Sequence, residues 1–436
     1  MIDVSSIALG TVLLGCAMGL FAGLMPGLGY STTLLLAFPL LLDMSILELL
    51  IIYSSVVTIS IYVGSIPATL YGIPGDTASM PAVYESRNLK SEKQVSNAIS
   101  GAAFGGFFGS VSVAIFCVLM VNYLDAIKYF YSTPLFLALL TFASFLIIWN
   151  AGNKIWVSVL LFIVGSILGL VGYNKHLDMP ILVFSDQMYG GLPMGVVLVT
   201  LFAVPNIAFY FNYFKSNKKD TSNESYSIWS IYFLNPIKST FFSIVGFLAG
   251  MVPGLTTIMA SMISYNIMSY FTKDPVKRIV ASEVGNNAGA FSCLLPLLIF
   301  GVPITASEAL LLFFLEQNGF SNSAVQIGPL MKDLVNNFLL INLIGLVLAW
   351  PLSNLVKYFY KIDLRYVFGV VLVVIFMTVM YSAWDNYSVW YYLILIVILT
   401  PIGVALRNLQ MLPLIFAYLI SNKYLASVII FKQLYF

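Results

Sequence analysis

PATLYGIPGDTAS, residues 67–79, and PLLIFGVPITAS, residues 296–307, are one pattern written twice. In each, an apolar stretch behind a proline is interrupted by Gly-x-Pro, and small hydroxyl residues follow. Aligning Pro74 with Pro303 gives an offset of 229 (303 − 74). A second pair lies upstream, GLMPGLG at 23–29 and GMVPGLT at 250–256, and aligning Pro26 with Pro253 gives 227 (253 − 26). Two Pro/Gly patterns at nearly one spacing mark two homologous halves.

Loop charges orient those halves. Lys and Arg in short loops mark the cytoplasmic side of a membrane protein. Between its two motifs the first half has DMSILE, residues 43–48, without Lys or Arg. The matching loop at 272–278 carries Lys273, Lys277 and Arg278. After the second motif the bias reverses: Arg87, Lys90 and Lys93 lie in 84–96, and no basic residue occurs from Gln317 to Met331. Matching loops therefore fall on opposite sides, which is the inverted-topology repeat of many secondary transporters.

Composition agrees. Of 436 residues, 60% are hydrophobic and 9% are Asp, Glu, Lys or Arg, against roughly 25% charged in a soluble domain. A water-soluble enzyme and a disordered chain are both excluded. A net charge of +2 supplies no basic surface for nucleic acid. The apolar runs are continuous rather than alternating, which argues against a β-barrel. At ~20 residues per span there is room for about 12 to 14 crossings. The expected fold is an all-α polytopic membrane protein of 12–14 transmembrane segments, with two inverted-topology repeats and broken, re-entrant Pro-Gly helices at a central site. The polar stretch KSNKKDTSNESYS at 215–227 divides the chain. The expected divisions are a first half at 1–213, a cytoplasmic linker at 214–228 and a second half at 229–436. The segment 28–42 is expected to be a span. The segment 279–315 is expected to break at Pro296, Gly301 and Pro303, and 409–436 at Ser421, Asn422 and Lys423. The loop at 173–192 falls outside, either as plain solvated chain or as a docking surface. The N-terminal MIDVSSIALG has no basic n-region, so the first apolar run is expected to be a retained span rather than a cleaved signal. Cys16, Cys117 and Cys293 are dispersed within apolar runs and are expected to be core residues.

The motifs carry the chemistry. A Pro-Gly pair frees backbone groups, which membrane depth tolerates only inside protein or beside a water-filled cavity. Half-helix N-termini offer N–H donors and a positive dipole end, so they can hold an anion without buried Lys or Arg. None of the four motif segments contains either residue. The candidate substrate-binding set is Pro26, Gly27, Gly29, Ser31, Thr32, Pro74, Gly75, Thr77, Ser79, Pro253, Gly254, Thr256, Pro303, Thr305 and Ser307, together with Asn286 and Asn287. In a purely structural alternative, Gly and Pro kink helices while Ser and Thr bond their own backbone. Adjacent buried amides need partners. Asn286 and Asn287 suit a hard cation through their carbonyls and a carboxylate through their amides, or they form an interhelical pair. Asp76, Glu283 and Glu308 are the acids nearest the motifs, and with Asn287 they are the candidates for cation coupling. For Asp76 the favoured place is a helix end in water. No metal centre and no cofactor is expected beyond a coupling ion, Na⁺ or H⁺.

The chain resembles the large, TctA-type permease subunit of the tripartite tricarboxylate transporter family. The resemblance rests on PGLG at 26–29, GIPGDTAS at 72–79, PGL at 253–255, KDP at 273–275, NNAGA at 286–290, GVPITAS at 301–307 and IGP at 327–329. It implies a cation-coupled importer of small carboxylates in the bacterial inner membrane. It also implies a periplasmic solute-binding protein that delivers substrate, a small four-helix membrane subunit and a homodimer. The alternatives are a carrier or channel for another small solute that works without a binding protein, and a membrane-embedded enzyme. A channel would need a charged ring or a dewetted constriction, which is not spelled out here. An enzyme would need a nucleophile with a base, or a metal, and His176 is the one histidine.

Overall fold

The computed structural model describes residues 8–25, 29–37, 41, 44–121, 123, 133–174, 177–205, 230–252, 257–303, 305–320, 324–359, 364–385 and 389–435. The expected linker at 214–228 lies outside them, as do Pro26, Gly27, Pro253, Gly254 and Thr256. Nothing is described of the side chains of Ser31, Thr32 and Thr77.

The chain is a mostly helical, multi-pass membrane protein. Its first half runs α1 (Leu9–Leu24), α2 (Gly29–Leu36), α3 (Ile46–Tyr71), α4 (Met80–Ser86) and α5 (Glu92–Val121). There follow α6 (Thr133–Asn150), α7 (Ile155–Leu170), strands β1 (Gly172–Asn174) and β2 (Met179–Ile181), and α8 (Met194–Leu198). The second half runs α9 (Pro236–Met251), α10 (Thr257–Phe271), α11 (Pro275–Ser292), α12 (Leu294–Phe300), α13 (Ala306–Gln317) and α14 (Ala324–Phe359). It ends with α15 (Leu364–Asp385), α16 (Val389–Ala405) and α17 (Leu412–Tyr435). Among the described residues, five stretches are long and apolar enough to cross a membrane: Ile46–Tyr71, Glu92–Leu119, Pro275–Phe300, Ile327–Val356 and Leu412–Leu434. A helix satisfies its own backbone, as a bilayer demands.

Several boundaries differ from the sequence expectations. Within the expected span at 28–42, the structure describes the short helix Gly29–Leu36, with residues 38–40 and 42 outside the described set. Lys277 and Arg278 are not in a loop. Asp274 caps α11 by accepting from the Val276 N–H, and Pro275 stands in the first turn, a pairing that favours an earlier helix start. Pro67 lies within α3, and Pro296 lies within α12 just after the one-residue interruption at Cys293 that separates α11 from α12; the longer break begins at Gly301. Ser421, Asn422 and Lys423 do not interrupt α17. Ser421 donates back to the Tyr418 carbonyl, Asn422 donates to the Gly169 carbonyl, and Lys423 pairs with Glu316. Polar groups with partners need not end a helix. The ribbon of β1 and β2 departs from the all-helical expectation. It is antiparallel, with Tyr173 opposite Pro180, and its turn is held by Tyr173 donating to Asp178 and by the Leu177 N–H on Asn174.

Element boundaries recur at the motif spacing. α1 and α9 are both 16 residues long and start 227 apart (236 − 9). α3 and the α11–α12 stretch start 229 apart (275 − 46) and end 229 apart (300 − 71). Both stop at a glycine in the left-handed region, Gly72 at φ 64° and Gly301 at φ 66°, where other residues are strained. The Gly72 N–H caps the Ala68 carbonyl, and the Gly301 N–H caps that of Leu297.

Packing recurs too. α1 lies on α3 through Gly15, Gly19 and Gly23, spaced by four as close helix contact requires. A Cβ on Gly19 would meet Ile59 Cβ at 2.8 Å and the Val56 carbonyl at 2.9 Å. At the same offsets, a Cβ on Gly246 would meet Ala288 Cβ at 2.9 Å and the Gly285 carbonyl at 2.3 Å. The long helices then exchange between halves: α3 packs on α14, α11 packs on α5, and α5 and α14 touch each other. α6, α7 and α17 form a further packet.

Candidate functional site

The first break runs from Gly72 to Asp76, and a 3₁₀ turn at Thr77–Ser79 then leads into α4. Gly75 is pressed into the α1–α3 contact. Its N–H donates to the Gly64 carbonyl at 3.4 Å, and a Cβ there would lie 2.3 Å from the Gly23 carbonyl and 2.5 Å from Gly64 Cα. Ser79 is fully buried, and Asp76 is buried at 5% exposure rather than in water. The reason is topological: the break folds back against α10, where Ser261 donates to the Ala78 carbonyl at 2.7 Å.

The second break opens at Gly301, and Thr305 stands at the start of α13. Thr305 caps α13 in a reciprocal box. Its hydroxyl accepts from the Glu308 N–H, and its own N–H donates to Glu308 Oε2 at 3.0 Å. Glu308, 1% exposed, thus holds the start of α13. From α3, the Tyr53 hydroxyl reaches Glu308 Oε1 at 3.5 Å and the Ser307 hydroxyl at 3.4 Å. Ser307 also meets the Thr305 hydroxyl at 3.0 Å. The space beside Tyr53 and Ser307 is otherwise walled by apolar side chains, among them Leu34, Leu49, Ile52 and Phe314.

Tyr30, at the start of α2, lies within electrostatic range of Asp76 from the first break and of Glu308 from the second, with Cys293 and Thr257 beside it. Among the described residues, it links the acids of the two breaks. Glu283, Asn286 and Asn287 stand on one face of α11, all buried, with Asp76 within electrostatic range of Glu283. Asp76, Glu283, Thr305, Ser307 and Glu308 are all buried: Thr305, Ser307 and Glu308 bond one another, and Asp76 lies within electrostatic range of Glu283. Pro26, Gly27, Pro253, Gly254 and Thr256 lie outside the described residues, whereas Gly29 opens α2 at φ 58°.

Sequence reasoning missed Tyr30, Tyr53, Ser261 and the group around Glu85. Tyr30 directly follows the PGLG run, which was a usable signal; Tyr53 sits in an apolar helix without one. Glu85, 2% exposed, accepts from Arg278 at 2.8 Å, from Tyr265 at 2.8 Å and from Asn88 at 2.7 Å. This group ties α4 of the first half to α10 and α11 of the second. Burial alone would raise the Glu85 carboxyl, but the donated hydrogen bonds outweigh it and hold it below its ordinary value.

The model of the Tripartite tricarboxylate transporter TctA family matches residues 9–416. A relative from Agrobacterium vitis, described as an uncharacterized 52.8 kDa protein in the TAR-I ttuC' 3' region, is 23% identical over 379 residues, covering 82% of this chain and 74% of its own. No solved structure matches the chain.

Proposed function

The chain belongs to the TctA family of tripartite tricarboxylate transporters, and from that membership we propose that it is a secondary, cation-coupled importer of small carboxylates in a bacterial inner membrane. The family is one of membrane transporters that work with a periplasmic binding protein and a small membrane subunit. For this chain, dependence on those two subunits, a homodimeric state and the coupling ion belong to the proposal. So do the divisions at 1–213, 214–228 and 229–436.

One observation carries the proposal. The two helix breaks place Asp76 and Glu308 within electrostatic range of Tyr30, and Lys and Arg are absent from both broken segments. A carboxylate is recognised there by backbone N–H groups at helix starts, with the hydroxyls of Ser79, Thr257, Thr305 and Ser307 completing the shell. The recurring boundaries, the matched glycine contacts and the exchange of α3 and α11 between halves support two repeats. The reversed loop charges support their inversion. A pair of such repeats gives alternating access by moving one set of helices against the other.

Uptake into proteoliposomes tests the reading. Labelled citrate and other small di- and tricarboxylates are expected to accumulate only with an inward Na⁺ or H⁺ gradient, and only with the binding protein and small subunit supplied. Saturable uptake that ignores both gradients would remove the coupled-carrier reading. Uptake by the permease alone would remove the dependence on a binding protein.

A further inference from the structure

Glu283, Asn286 and Asn287 recur at i, i+3 and i+4, so their side chains share one face of α11. They are 1%, 0% and 2% exposed. Their amide nitrogens turn back on the same helix: Asn286 Nδ2 donates to Glu283 Oε2 at 3.2 Å, and Asn287 Nδ2 donates to the Glu283 carbonyl at 3.0 Å. Three oxygens are left over. Glu283 Oε1, Asn286 Oδ1 and Asn287 Oδ1 are all buried without a hydrogen-bond donor. Buried acceptors without donors are costly and rare.

Among the described residues, none donates to these oxygens. The Tyr62 hydroxyl, on the facing helix α3, donates to Asn342 Oδ1 at 3.2 Å. Arg278, five residues earlier on α11, is engaged by Glu85. The charge within range of Glu283 is another acid, Asp76. The wall towards α5 is glycine: a Cβ on Gly106 would lie 2.6 Å from Asn287 Nδ2, and one on Gly109 would lie 2.4 Å from the Val284 carbonyl. That wall fixes Asn287 in place and leaves α11 no room to turn its amides away.

We propose that Glu283 Oε1, Asn286 Oδ1 and Asn287 Oδ1 are the protein ligands of a monovalent alkali cation, Na⁺, and that its binding on α11 is the coupling step of the carrier. The chemistry selects the ion. A proton satisfies only the carboxylate oxygen and leaves both amide oxygens bare. A hard monovalent cation takes all three oxygens at once. Its single charge matches the single carboxylate in the set. Mg²⁺ dehydrates reluctantly, and Ca²⁺ takes about 6–8 oxygen ligands, which three side chains do not supply. The coupling role rests on the carrier reading above; the binding does not.

The full chain, purified in detergent, provides the test through its thermal-unfolding midpoint at constant ionic strength, with NaCl replaced stepwise by choline chloride. An ion that binds only the folded state raises the midpoint saturably. The expected result is a saturable rise with Na⁺. In Glu283→Gln, and separately in Asn286→Ala and Asn287→Ala, the Na⁺ concentration for half the rise should increase at least tenfold. Equal midpoints in Na⁺ and choline for the unmodified protein would overturn the site, as would variants that respond like it. The uptake assay separates the two ideas. Gradient-driven uptake without a Na⁺ response sinks the site and keeps the carrier. A Na⁺ response abolished by these variants, in a protein that transports no carboxylate, keeps the site and sinks the carrier.

Discussion

Replacing Gly75 with alanine is expected to destabilise the protein by about 3 kcal/mol, the upper end of the cost of overpacking, and to end transport with it. The added Cβ would sit 2.3 Å from the Gly23 carbonyl and 2.5 Å from Gly64 Cα. Both are backbone atoms of closely packed helices, so no rotamer change relieves the clash. Either α1 moves off α3 or the break between Gly72 and Asp76 opens, and Asp76 and Ser79 move with it. The variant therefore acts on packing as well as on substrate, and a larger side chain such as leucine acts more strongly. Gly328→Ala is the control, because a Cβ there meets nothing within 4 Å. Thermal-unfolding midpoints of both variants in detergent, with uptake in parallel, measure the difference. Equal midpoints for Gly75→Ala and the unmodified protein would show that the first break is looser than described.

Arg278→Ala carries the second large effect, an expected loss of about 3–5 kcal/mol, the cost of breaking a buried pair from one side. Glu85 is buried, and its Oε1 accepts from both Arg278 and Tyr265. Without the guanidinium it keeps two neutral donors, Tyr265 and Asn88, and an uncompensated charge. Arg278 itself is 19% exposed, which places the value nearer the lower figure. The double variant Glu85→Ala/Arg278→Ala should lose less than the two single variants summed, since it leaves no unpaired charge. Acid behaviour follows in sign. The Glu85 carboxyl is held below its ordinary value, about 4.3 for Glu. Its contribution is therefore fully present above that value and is lost as the pH falls through the lowered one. In Arg278→Ala the acid-unfolding midpoint should move to higher pH. An unchanged acid midpoint would show that Glu85 does not depend on Arg278.

Much of the architecture was legible because the decisive residues act locally. Gly72 and Gly301 end helices wherever they fold, since each takes a positive φ, and the Pro-Gly spacing therefore foretold two breaks at one offset. Asn286 and Asn287 were legible as buried amides because such groups are conspicuous in an apolar run. The long-range partners were not. Asp76 looked like a solvated helix end because its burial depends on α10, almost two hundred residues away in the chain. Arg278 looked like a loop charge because its partner, Glu85, lies in the other half. Tyr53 carries no local sign that Ser307 and Glu308 face it. The continuity of α17 through Ser421–Lys423 depends on Gly169 and Glu316, so the polar triplet alone pointed the wrong way.

The carrier reading of the site rests on the two halves crossing the membrane in opposite senses. Single cysteines at matching loops measure this directly. Met44→Cys lies just before α3 and Lys273→Cys just before α11, and the native Cys16, Cys117 and Cys293 are buried, which keeps the background low. A membrane-impermeant maleimide applied to spheroplasts should label position 44 at once and position 273 only after permeabilisation. Labelling of both positions from the same side would contradict the inversion and leave the two breaks without a common depth.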